Sequence, residues 1–478
     1  MTMLNCSELF AQAKVKNCIA MVRAALAHAL PETSFGERER LALAISSEAV
    51  RELLQGDLQA LADGMAGEVL VDGVAYKRHE PGADTYHGLC GGLFVERWSY
   101  RQIGVRNGPT VIPLELMAGL AEGATPAMAF NVLHGYAQHD MRVHEESLRA
   151  AHRTPPSRTT LERIAKALGA TAVQRSARIE PLLRRGEKVP PAAVAIAVGL
   201  DRTSVPMLED RPADAPPKRE AKRRKPRVRR APPPCDVNWR MAYVGTVSFV
   251  DANGEALSTV RYAAPACDDP REIVERITAD LRAALKRRAA LRVGIVQDGA
   301  HEMWNRMREG LVQLRDEGVL DTWHEGIDRY HLLERLAEAL EVIEPDGAER
   351  ARLLDGWREQ FDAKDSTIDA IERFLHRGYV AADDEHRAVL WDHIRFVDNN
   401  KDRMRYVSLR VAGLPVGSGV TESTCKTVIG QRAKRSGQRW REAGLRGVLT
   451  LRANHQSQRL PRFWNHLSRC YAAHVEAA

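Results

Sequence analysis

The chain has 478 residues, of which 44% are hydrophobic and 28% charged, and its formal net charge is +7. This length predicts two to four domains, each with its own core. No run of about eighteen apolar residues occurs, so we expect no membrane span and no membrane partner. The seven cysteines are scattered and never spaced as Cys-x-x-Cys. That pattern argues against a zinc finger or a disulfide framework and favours a reducing cytoplasm.

Positive charge is concentrated in two segments. Residues 218–230 carry nine Lys and Arg against one Glu, and residues 401–478 carry fifteen against four acidic residues. Residues 331–400 are acidic, with nine basic and seventeen acidic side chains. Concentrated basic segments are typical of phosphate-binding proteins and indicate nucleic acid as a partner. The alternative for residues 401–478 is a role in solubility alone.

Residues 1–112 are predicted as an N-terminal helical region with short strands, because helical spacing gives way after residue 65 to apolar runs among glycines. The first segment lacks a clean cleavage site, which favours a structural helix over a signal peptide. Residues 113–189 are predicted to be helical, and Ser157 begins a capping-box pattern for a helix running to Leu168. This region is a candidate helix-turn-helix DNA-binding domain. The alternative is a packing helix with a basic surface, formed by Arg158, Arg163 and Lys166.

From residue 190 the pattern is that of an α/β domain. Val194–Leu200 is apolar throughout, as expected of a strand covered on both faces. Residues 206–235 are rich in Pro and basic residues and show no period, which predicts an exposed loop. Two further strands flank the turn signal Asp251-Ala-Asn253-Gly254. A helix, the strand ending at Asp298, a helix containing Trp304 and a short strand follow.

This order of elements predicts an α/β fold class: a ribonuclease H-like mixed sheet with an all-α insertion, preceded by a mostly helical N-terminal region. Residues 190–330 are the first part of the catalytic core in this prediction. Residues 331–410 are the helical insertion. Residues 411–478 supply the final helix of the core and a basic C-terminal tail.

Three carboxylates lie at the ends of predicted elements. Asp298 ends an apolar strand, Asp201 ends the run Val194–Leu200, and Glu422 lies just inside a helix after Gly417-Ser-Gly419. Open α/β sheets place their chemistry at such strand ends. In a ribonuclease H-like sheet the first and fourth strands are neighbours, so the two aspartates would lie side by side. Gathered carboxylates need a cation, and two Mg²⁺ ions would meet that need.

Each carboxylate also has a purely structural interpretation. Asp298 before glycine is typical of a turn or a helix cap. Asp201 is explained as a solvent-exposed residue at a strand end. Glu422 in a first turn compensates the helix dipole.

Several stretches of the chain resemble bacterial insertion-sequence DDE transposases of the ISKra type, in the Mutator-like group. The longest is Gly413-Leu-Pro-Val-Gly-Ser-Gly-Val-Thr-Glu422-Ser-Thr-Cys-Lys-Thr427, continued by Lys434-Arg-Ser-Gly-Gln-Arg-Trp440. The others are Val198-Gly-Leu-Asp201-Arg-Thr-Ser-Val-Pro206-Met, Met241-Ala-Tyr-Val-Gly-Thr-Val247, Gln297-Asp298-Gly-Ala-His-Glu-Met-Trp-Asn305, Ile327-Asp328-Arg-Tyr-His331 and Asp402-Arg-Met-Arg-Tyr406. The resemblance covers residues from about 190 to the C-terminus.

The resemblance implies that Asp201, Asp298 and Glu422 form a catalytic triad that binds two Mg²⁺ ions, with Mn²⁺ as an alternative. It also implies that Asp328 and His331 form an Asp-x-x-His element that supports the active site or positions DNA; the alternative is a helix start with His331 packed into the insertion. The activity implied is that of a transposase acting on double-stranded DNA, both transposon ends and target. A homodimer or higher oligomer in the bacterial cytoplasm, associated with the nucleoid, would follow.

The chain departs from the family pattern at the first aspartate. Arg202 follows Asp201 where glycine is common, and a long basic loop follows that strand. If Asp201 is misassigned, Asp236 and Asp251 are the fallback residues, and Asp251 is the poorer because it lies in a hairpin turn.

DNA binding is predicted for basic residues near the C-terminus and in the basic loop, and positions 432, 435 and 439 share one face if a helix continues past Gly437. Trp440 stacks on a base or packs in the core, and packing is favoured. The predicted DNA-binding residues are Lys426, Arg432, Lys434, Arg435, Arg439, Arg441, Arg223 and Arg224.

The sequence thus predicts metal-dependent cleavage at transposon ends and strand transfer to target DNA. Two rival functions remain: a ribonuclease H-like metal nuclease without strand transfer, and a domesticated, catalytically inactive DNA-binding protein.

Overall fold

The described residues of the computed structural model are 20, 23–24, 27, 34–211, 235–265 and 269–478. The chain divides into two compact units. The first unit comprises Met1–Ala172 and Arg462–Ala478, and the second comprises Val173–Pro461. Within the described ranges, no helix is both long and apolar enough to cross a membrane.

The first unit contains an antiparallel sheet. Its strands are β1 (Glu68–Val71), β2 (Val74–Gly88), β3 (Gly91–Gln102), β4 (Thr110–Val111) and β10 (Val475–Ala477), hydrogen-bonded in the order β10-β1-β2-β3-β4. Burial alternates along the first part of β3, as expected of a sheet with one covered face. The prediction of short strands is wrong for β2 and β3, which are 15 and 12 residues long. The last residues of the predicted basic C-terminal tail, Val475–Ala477, pair with β1.

Helix α1 (Phe35–Asp63) begins with a capping box between Ser34 and Glu37. Its last turns bury Leu58 and Ala62 in a core shared with β2 and β3. Two glutamines of α1 also bond to the backbone of β3. The N–H of Phe94 donates to Gln55 Oε1 at 3.0 Å, and the N–H of Glu96 donates to Gln59 Oε1 at 2.9 Å. These bonds cover an edge of β3 that the two-residue strand β4 leaves unpaired.

Four helices follow the first sheet along the chain. They are α2 (Pro113–Ala118), α3 (Pro126–Gln138), α4 (Met141–Ala150) and α5 (Arg158–Arg185). Ser157 Oγ accepts from the N–H of Thr160 at 3.3 Å, so the predicted helix start is confirmed. The predicted end at Leu168 is wrong, because α5 continues through Pro181 to Arg185 and passes from the first unit into the second.

The second unit contains a mixed sheet. Its strands are β5 (Ala195–Asp210), β6 (Cys235–Val250), β7 (Ala256–Ala264), β8 (Arg292–Gln297) and β9 (His324–Ile327), in the order β7-β6-β5-β8-β9. The pairs β5–β8 and β8–β9 are parallel and the other pairs are antiparallel. The first and fourth strands of this sheet are therefore neighbours, as the sequence predicts.

Strand β5 is longer than its apolar run. It pairs with β6 along its whole length, whereas β8 pairs only with Ala195–Val198. The predicted strand end at Leu200 is thus wrong, and the predicted loop 206–235 is too long at both ends. The polar run Asp201–Ser204 and Pro206 hid the outer half of the strand. Residues 212–234 lie outside the described residues.

Two amphipathic helices pack on this sheet. Helix α6 (Arg271–Arg287) buries Ile273, Ile277, Leu281 and Leu285. Helix α7 (His301–Asp316) buries Trp304, Met307, Leu311 and Leu314. Both apolar stripes are those that helical spacing predicts.

An all-α insertion lies between β9 and the last helices. It consists of α8 (Arg329–Ile343), α9 (Gly347–Ala363), α10 (Thr367–Ala381), α11 (Asp384–Asn400), a 3₁₀ turn Lys401–Arg403 and α12 (Tyr406–Val411). The α/β class is confirmed, and the mixed sheet with its helical insertion is consistent with a ribonuclease H-like fold.

A series of helices precedes the C-terminal strand β10. They are α13 (Gly419–Thr424), a π-helix Cys425–Gly430, α14 (Gln431–Ala433), α15 (Glu442–Gln456), α16 (Leu460–Leu467) and a 3₁₀ turn Ser468–Tyr471. The predicted helical face of positions 432, 435 and 439 does not form, because α14 ends at Ala433 and Gly437 adopts a φ of +76°.

Candidate active site

Asp201 lies within β5 rather than at its end. It pairs with Val244 of β6, three residues beyond Val198, where β8 stops pairing with β5. One edge of β5 is therefore no longer covered by β8 at this position. Asp201 Oδ1 accepts from the N–H of Arg202 at 2.7 Å. The Arg202 guanidinium bonds to Glu302 Oε2 at 2.7 Å, so the arginine that replaces the common glycine has a partner of its own.

Asp298 follows β8 directly and lies in the turn into α7. Its Oδ1 accepts from the N–H of Ala300 at 3.1 Å, and its backbone oxygen accepts from Trp304 Nε1 at 2.6 Å. Ala300 is the N-cap of α7 and has no side-chain cap bond, so of the two structural interpretations of Asp298 the turn is correct. It does not compete with a role in a site, because a carboxylate has a second oxygen and several lone pairs.

Glu422 reaches the sheet because a glycine lets its helix approach. A Cβ at Gly199 would lie 2.6 Å from Thr421 Oγ1 and 2.8 Å from the Val296 carbonyl oxygen, so no larger residue fits without displacement. Thr421 Oγ1 also lies 2.7 Å from Thr246 Oγ1 on β6. These contacts fix the first turn of α13 against β5 and place Glu422 close to Asp201.

Asp328 joins the start of α8 to the turn before α13. Its Oδ1 accepts from the N–H groups of Tyr330 and His331 at 2.7 and 3.0 Å. Its Oδ2 accepts from the backbone N–H of Ser418 and lies 2.8 Å from Ser418 Oγ. Asp328 is only 1% exposed, so its side chain is not accessible to DNA. Its hydrogen bonds orient the neighbouring groups instead.

Ser418 and His331 hold one oxygen of Glu422. Ser418 Oγ lies 2.9 Å and His331 Nε2 lies 3.1 Å from Glu422 Oε1. The Ser418 hydroxyl has one proton, and Asp328 already accepts from three backbone N–H groups, so Glu422 is the better acceptor for that proton. His331 Nδ1 lies 3.2 Å from Glu334 Oε2. The predicted pairing of His331 with the candidate site is thus seen in its contact with Glu422.

The three predicted carboxylates line one cavity of about 350 Å³ together with His331. The fallback residues Asp236 and Asp251 do not line it. Asp251 instead accepts from the N–H groups of Asn253 and Glu255 in the hairpin turn.

The cavity brings three carboxylates together with Arg202, Lys426 and Lys434, so the formal charges of its lining balance. Burial raises the pKa of Asp201, and the charges of Asp298 and Glu422 raise it further, against the N–H of Arg202 and the Cys425 thiol. Burial alone would lower the pKa of His331, but the carboxylates of Asp328 and Glu422 outweigh it and the pKa is raised. A bound cation would offset the part of each shift that comes from neighbouring carboxylates, whereas the effect of burial on the pKa of Asp201 would remain.

The residues of the cavity fit Mg²⁺ or Mn²⁺. Carboxylate oxygens are the hard ligands these ions prefer, and retained waters complete their coordination. The donor atoms of Asp201, Asp298 and Glu422 are not all within 4.8 Å of one another. The three carboxylates therefore do not form one compact three-ligand site in this structure.

A second group of potential ligands lies in the insertion. Glu372 and His376 of α10 and Asp398 of α11 have donor atoms within 4.8 Å of one another. However, Lys401 Nζ already lies 2.7 Å from Glu372 Oε1. The ammonium group supplies the positive charge that this exposed cluster needs, so we assign no metal to it.

Two of the predicted DNA-binding residues line the cavity. The Lys426 side chain is 78% exposed and its Nζ lies 3.6 Å from Glu422 Oε2. Lys434 also lines the cavity, and its Nζ bonds to Thr203 Oγ1. Both ammonium groups can therefore meet a phosphate that enters the cavity.

The other predicted DNA-binding residues differ in exposure. Arg432 is only 2% exposed, with its guanidinium 4.9 Å from the centre of the Trp440 ring, so we do not retain it as a DNA contact. Trp440 packs against a buried cluster, as predicted, and its Nε1 donates to the Ala433 carbonyl at 3.0 Å. Arg435 is partly exposed and Arg439 exposed. Arg441 pairs with Asp210 at 2.7 Å. Arg223 and Arg224 lie outside the described residues.

Sequence reasoning missed four residues of the site: Gln297, Ser418, Thr421 and Cys425. All four lie inside the motifs that carried the resemblance. The clearest available signal was Gln297, a polar residue at the end of an otherwise apolar strand. A buried polar group of this kind needs a partner, which is a reason to look for one.

Comparison with known proteins adds little to this geometry. No protein-family model matches the chain, and no curated protein matches it. Among solved structures, the chain is similar to a Drosophila P element transposase strand transfer complex, with 12% identity over 73% of this chain and 81% of that chain. The TM-score is 0.23. A likeness at that level carries no argument, so the site is judged on its own residues.

Proposed function

We propose that this protein is a DNA transposase of the ISKra type, which cuts a strand at each transposon end and transfers it to target DNA. The observation that carries the proposal is the shared cavity of Asp201, Asp298 and Glu422. These residues come from neighbouring strands and from the helix after an all-α insertion. That is the arrangement that the resemblance to DDE transposases implies.

In this proposal the three carboxylates are the ligands of two Mg²⁺ or Mn²⁺ ions. Such ions, when bound, lower the pKa of an attacking water or hydroxyl and stabilise charge on the leaving oxygen. Asp201 and Asp298 approach from adjacent strands, and Glu422 is oriented by Ser418 and His331. Hydrolysis of one phosphodiester frees a 3′-hydroxyl. Attack of that hydroxyl on a target phosphodiester forms a new 3′-O–P bond, breaks the target's own 3′-O–P bond and releases the target 3′-hydroxyl.

The DNA backbone would pass over the basic rim of the cavity. Lys426 and Lys434 line the cavity, and Arg435, Arg439 and Arg441 lie on the adjoining segment. Each phosphate contact that they neutralise should add roughly one unit to the slope of log affinity against log salt. Such contacts position DNA without reading its sequence. The helical 113–189 region, with Arg158, Arg163 and Lys166 exposed, remains our proposal for recognition of the transposon ends.

The decisive experiment is cleavage and strand transfer on the DNA that flanks this reading frame, with Mg²⁺ present. Asp201→Asn, Asp298→Asn and Glu422→Gln should each abolish both steps while sparing DNA binding, since the amides keep the shape and lose the charge. Asp236→Asn is the matched control, because Asp236 does not line the cavity. Retained cleavage by Asp298→Asn would contradict the triad.

The same assay separates the rival functions. Cleavage without joining would identify a ribonuclease H-like metal nuclease. DNA binding without either step would identify a domesticated DNA-binding protein. Because joining requires paired ends, we also propose at least a homodimer in the bacterial cytoplasm, at the nucleoid.

A further inference from the structure

Gln297 lies where the two aspartate-bearing strands separate. The parallel pairing of β5 with β8 ends at Val198 and Ile295. Two residues further on, the N–H of Leu200 bonds to the side chain of Gln297, Oε1, at 3.2 Å. A side-chain amide therefore takes the place of a strand partner, directly before Asp201 on one strand and Asp298 on the other.

The backbone of Gln297 reaches the third carboxylate. Its carbonyl oxygen accepts from the N–H of Asp328 at 3.1 Å. Asp328 in turn bonds to Ser418, whose hydroxyl lies 2.9 Å from Glu422. Gln297 is thus connected to Asp298 by a peptide bond, to the residue before Asp201 by one hydrogen bond, and to Glu422 through a chain of three hydrogen bonds.

The burial of this amide is costly and calls for a reason. Gln297 is 0% exposed, and its Nε2 has no partner among the described residues. A buried donor left without an acceptor costs about 1–3 kcal/mol. An apolar residue of the same length would avoid that cost, but it would leave the buried N–H of Leu200 without its acceptor. The glutamine is therefore explained by the bond that it makes to β5 at the point where the strands separate.

We infer that Gln297 is a positioning residue that sets the separation of Asp201 and Asp298 and so tunes the affinity of the site for divalent metal. This inference rests on the proposed function, because it requires the carboxylates to be metal ligands. Residues that orient metal ligands in this way typically change metal affinity by about ten- to a hundredfold when replaced.

The test measures the affinity of the full chain for Mn²⁺ in the absence of DNA. Electron paramagnetic resonance detects the bound ion. Gln297→Met keeps the length and removes the acceptor for Leu200. Gln297→Asn keeps the amide but is one methylene too short to reach the N–H of Leu200. It replaces the methionine variant in the test if that variant does not fold. Both should bind Mn²⁺ about tenfold or more weakly than the unchanged chain. Ser248→Ala is the matched control: it removes a buried hydroxyl that bonds to Thr259 at 2.9 Å on the same sheet, away from the cavity.

Thermal unfolding without metal separates positioning from simple destabilisation. We expect the Gln297 and Ser248 variants to lose similar stability, and only the Gln297 variants to lose Mn²⁺ affinity. A folded Gln297 variant with unchanged affinity overturns the inference. Asp298→Asn tells the two failures apart. If it also binds Mn²⁺ normally, the metal site of the proposed function fails and this inference falls with it. If it loses binding while the Gln297 variants do not, the inference alone is wrong.

Discussion

Polar side chains have different positions and roles in the two sheets of this protein. In the sheet of the first unit, polar groups protect an edge, as Gln55 and Gln59 do for β3. In the sheet of the second unit, polar groups gather between strands, where Asp201, Asp298 and Gln297 meet. The first arrangement stabilises a sheet against pairing with other chains. The second builds a charged cavity that the fold by itself does not require.

The largest expected difference between the two units concerns tryptophan, on a helix packed against the sheet in the second unit and on a strand in the first. Trp304 is 0% exposed and bonds to the Asp298 carbonyl, whereas Trp98 on β3 is 37% exposed. Trp304→Ala should cost about 3–5 kcal/mol in the free energy of unfolding of the second unit. Trp98→Ala should cost about 0.5 kcal/mol in the first unit. Denaturant unfolding followed with a probe in each unit measures both, and equal costs would contradict the comparison.

The next difference is the response to acid. Burial, with smaller effects of His139 and His134, lowers the pKa of His144 in the first unit to about 4. The unfolded chain binds this proton more readily, so the first unit should lose up to about 3 kcal/mol as pH falls from about 6.5 to about 4. His144→Gln should reduce this loss of stability at low pH. If the variant has the same dependence of unfolding free energy on pH as the unchanged chain, His144 is not its cause.

The cavity of the second unit should respond in the opposite sense. The pKa values of His331 and Asp201 are raised. A raised folded-state pKa gives stability that is present below the unfolded value and is lost as pH rises through the folded one. Without metal, the second unit should therefore become less stable as pH rises. Mg²⁺ should reverse this trend, which thermal unfolding with and without the ion would show.

A smaller effect is expected from a pair of strand glycines. Gly199→Ala would press on Thr421 and on the Val296 carbonyl, and should cost about 1–3 kcal/mol and abolish cleavage by displacing Glu422. Gly82→Ala in β2 meets only the end of Arg97 at 3.4 Å and should leave stability and cleavage nearly unchanged. Unimpaired cleavage by Gly199→Ala would show that α13 does not need this close approach.

The smallest effect concerns the protected edge. Gln55→Ala and Gln59→Ala should each cost about 1 kcal/mol in the first unit and increase aggregation, with cleavage unaffected. Gln313→Ala on α7, which loses only an exposed bond to Glu317, should change neither property. Light scattering during mild heating provides the measurement. An equal rise in aggregation for Gln313→Ala would show that Gln55 and Gln59 do not protect the edge of β3.

The sequence predicted the elements of the second unit better than those of the first. The sequence directly predicts the apolar stripes of α6 and α7, because each helix buries one face and its period is uninterrupted. It also predicts the first residues of β5, because both faces of that segment are buried. The sequence pattern predicts short strands where β2 and β3 are long, because their exposed faces carry polar residues, Gly and Pro. The C-terminal β10 was missed because its partner lies about four hundred residues earlier in the chain.

The sequence by itself determined the order of the elements, the all-α insertion and the carboxylates that line the cavity, since these depend on local period and residue type. Only the tertiary structure decided which groups orient them. Gly199 is recognisable as a close approach only once α13 packs on β5. Asp328 is buried, and Arg432 lies against the Trp440 ring. The sequence does not show this, because the burial of a side chain depends on residues that are distant in sequence. Gln297 joins the three carboxylates for the same reason: hydrogen bonds between strands exist only after the strands have met.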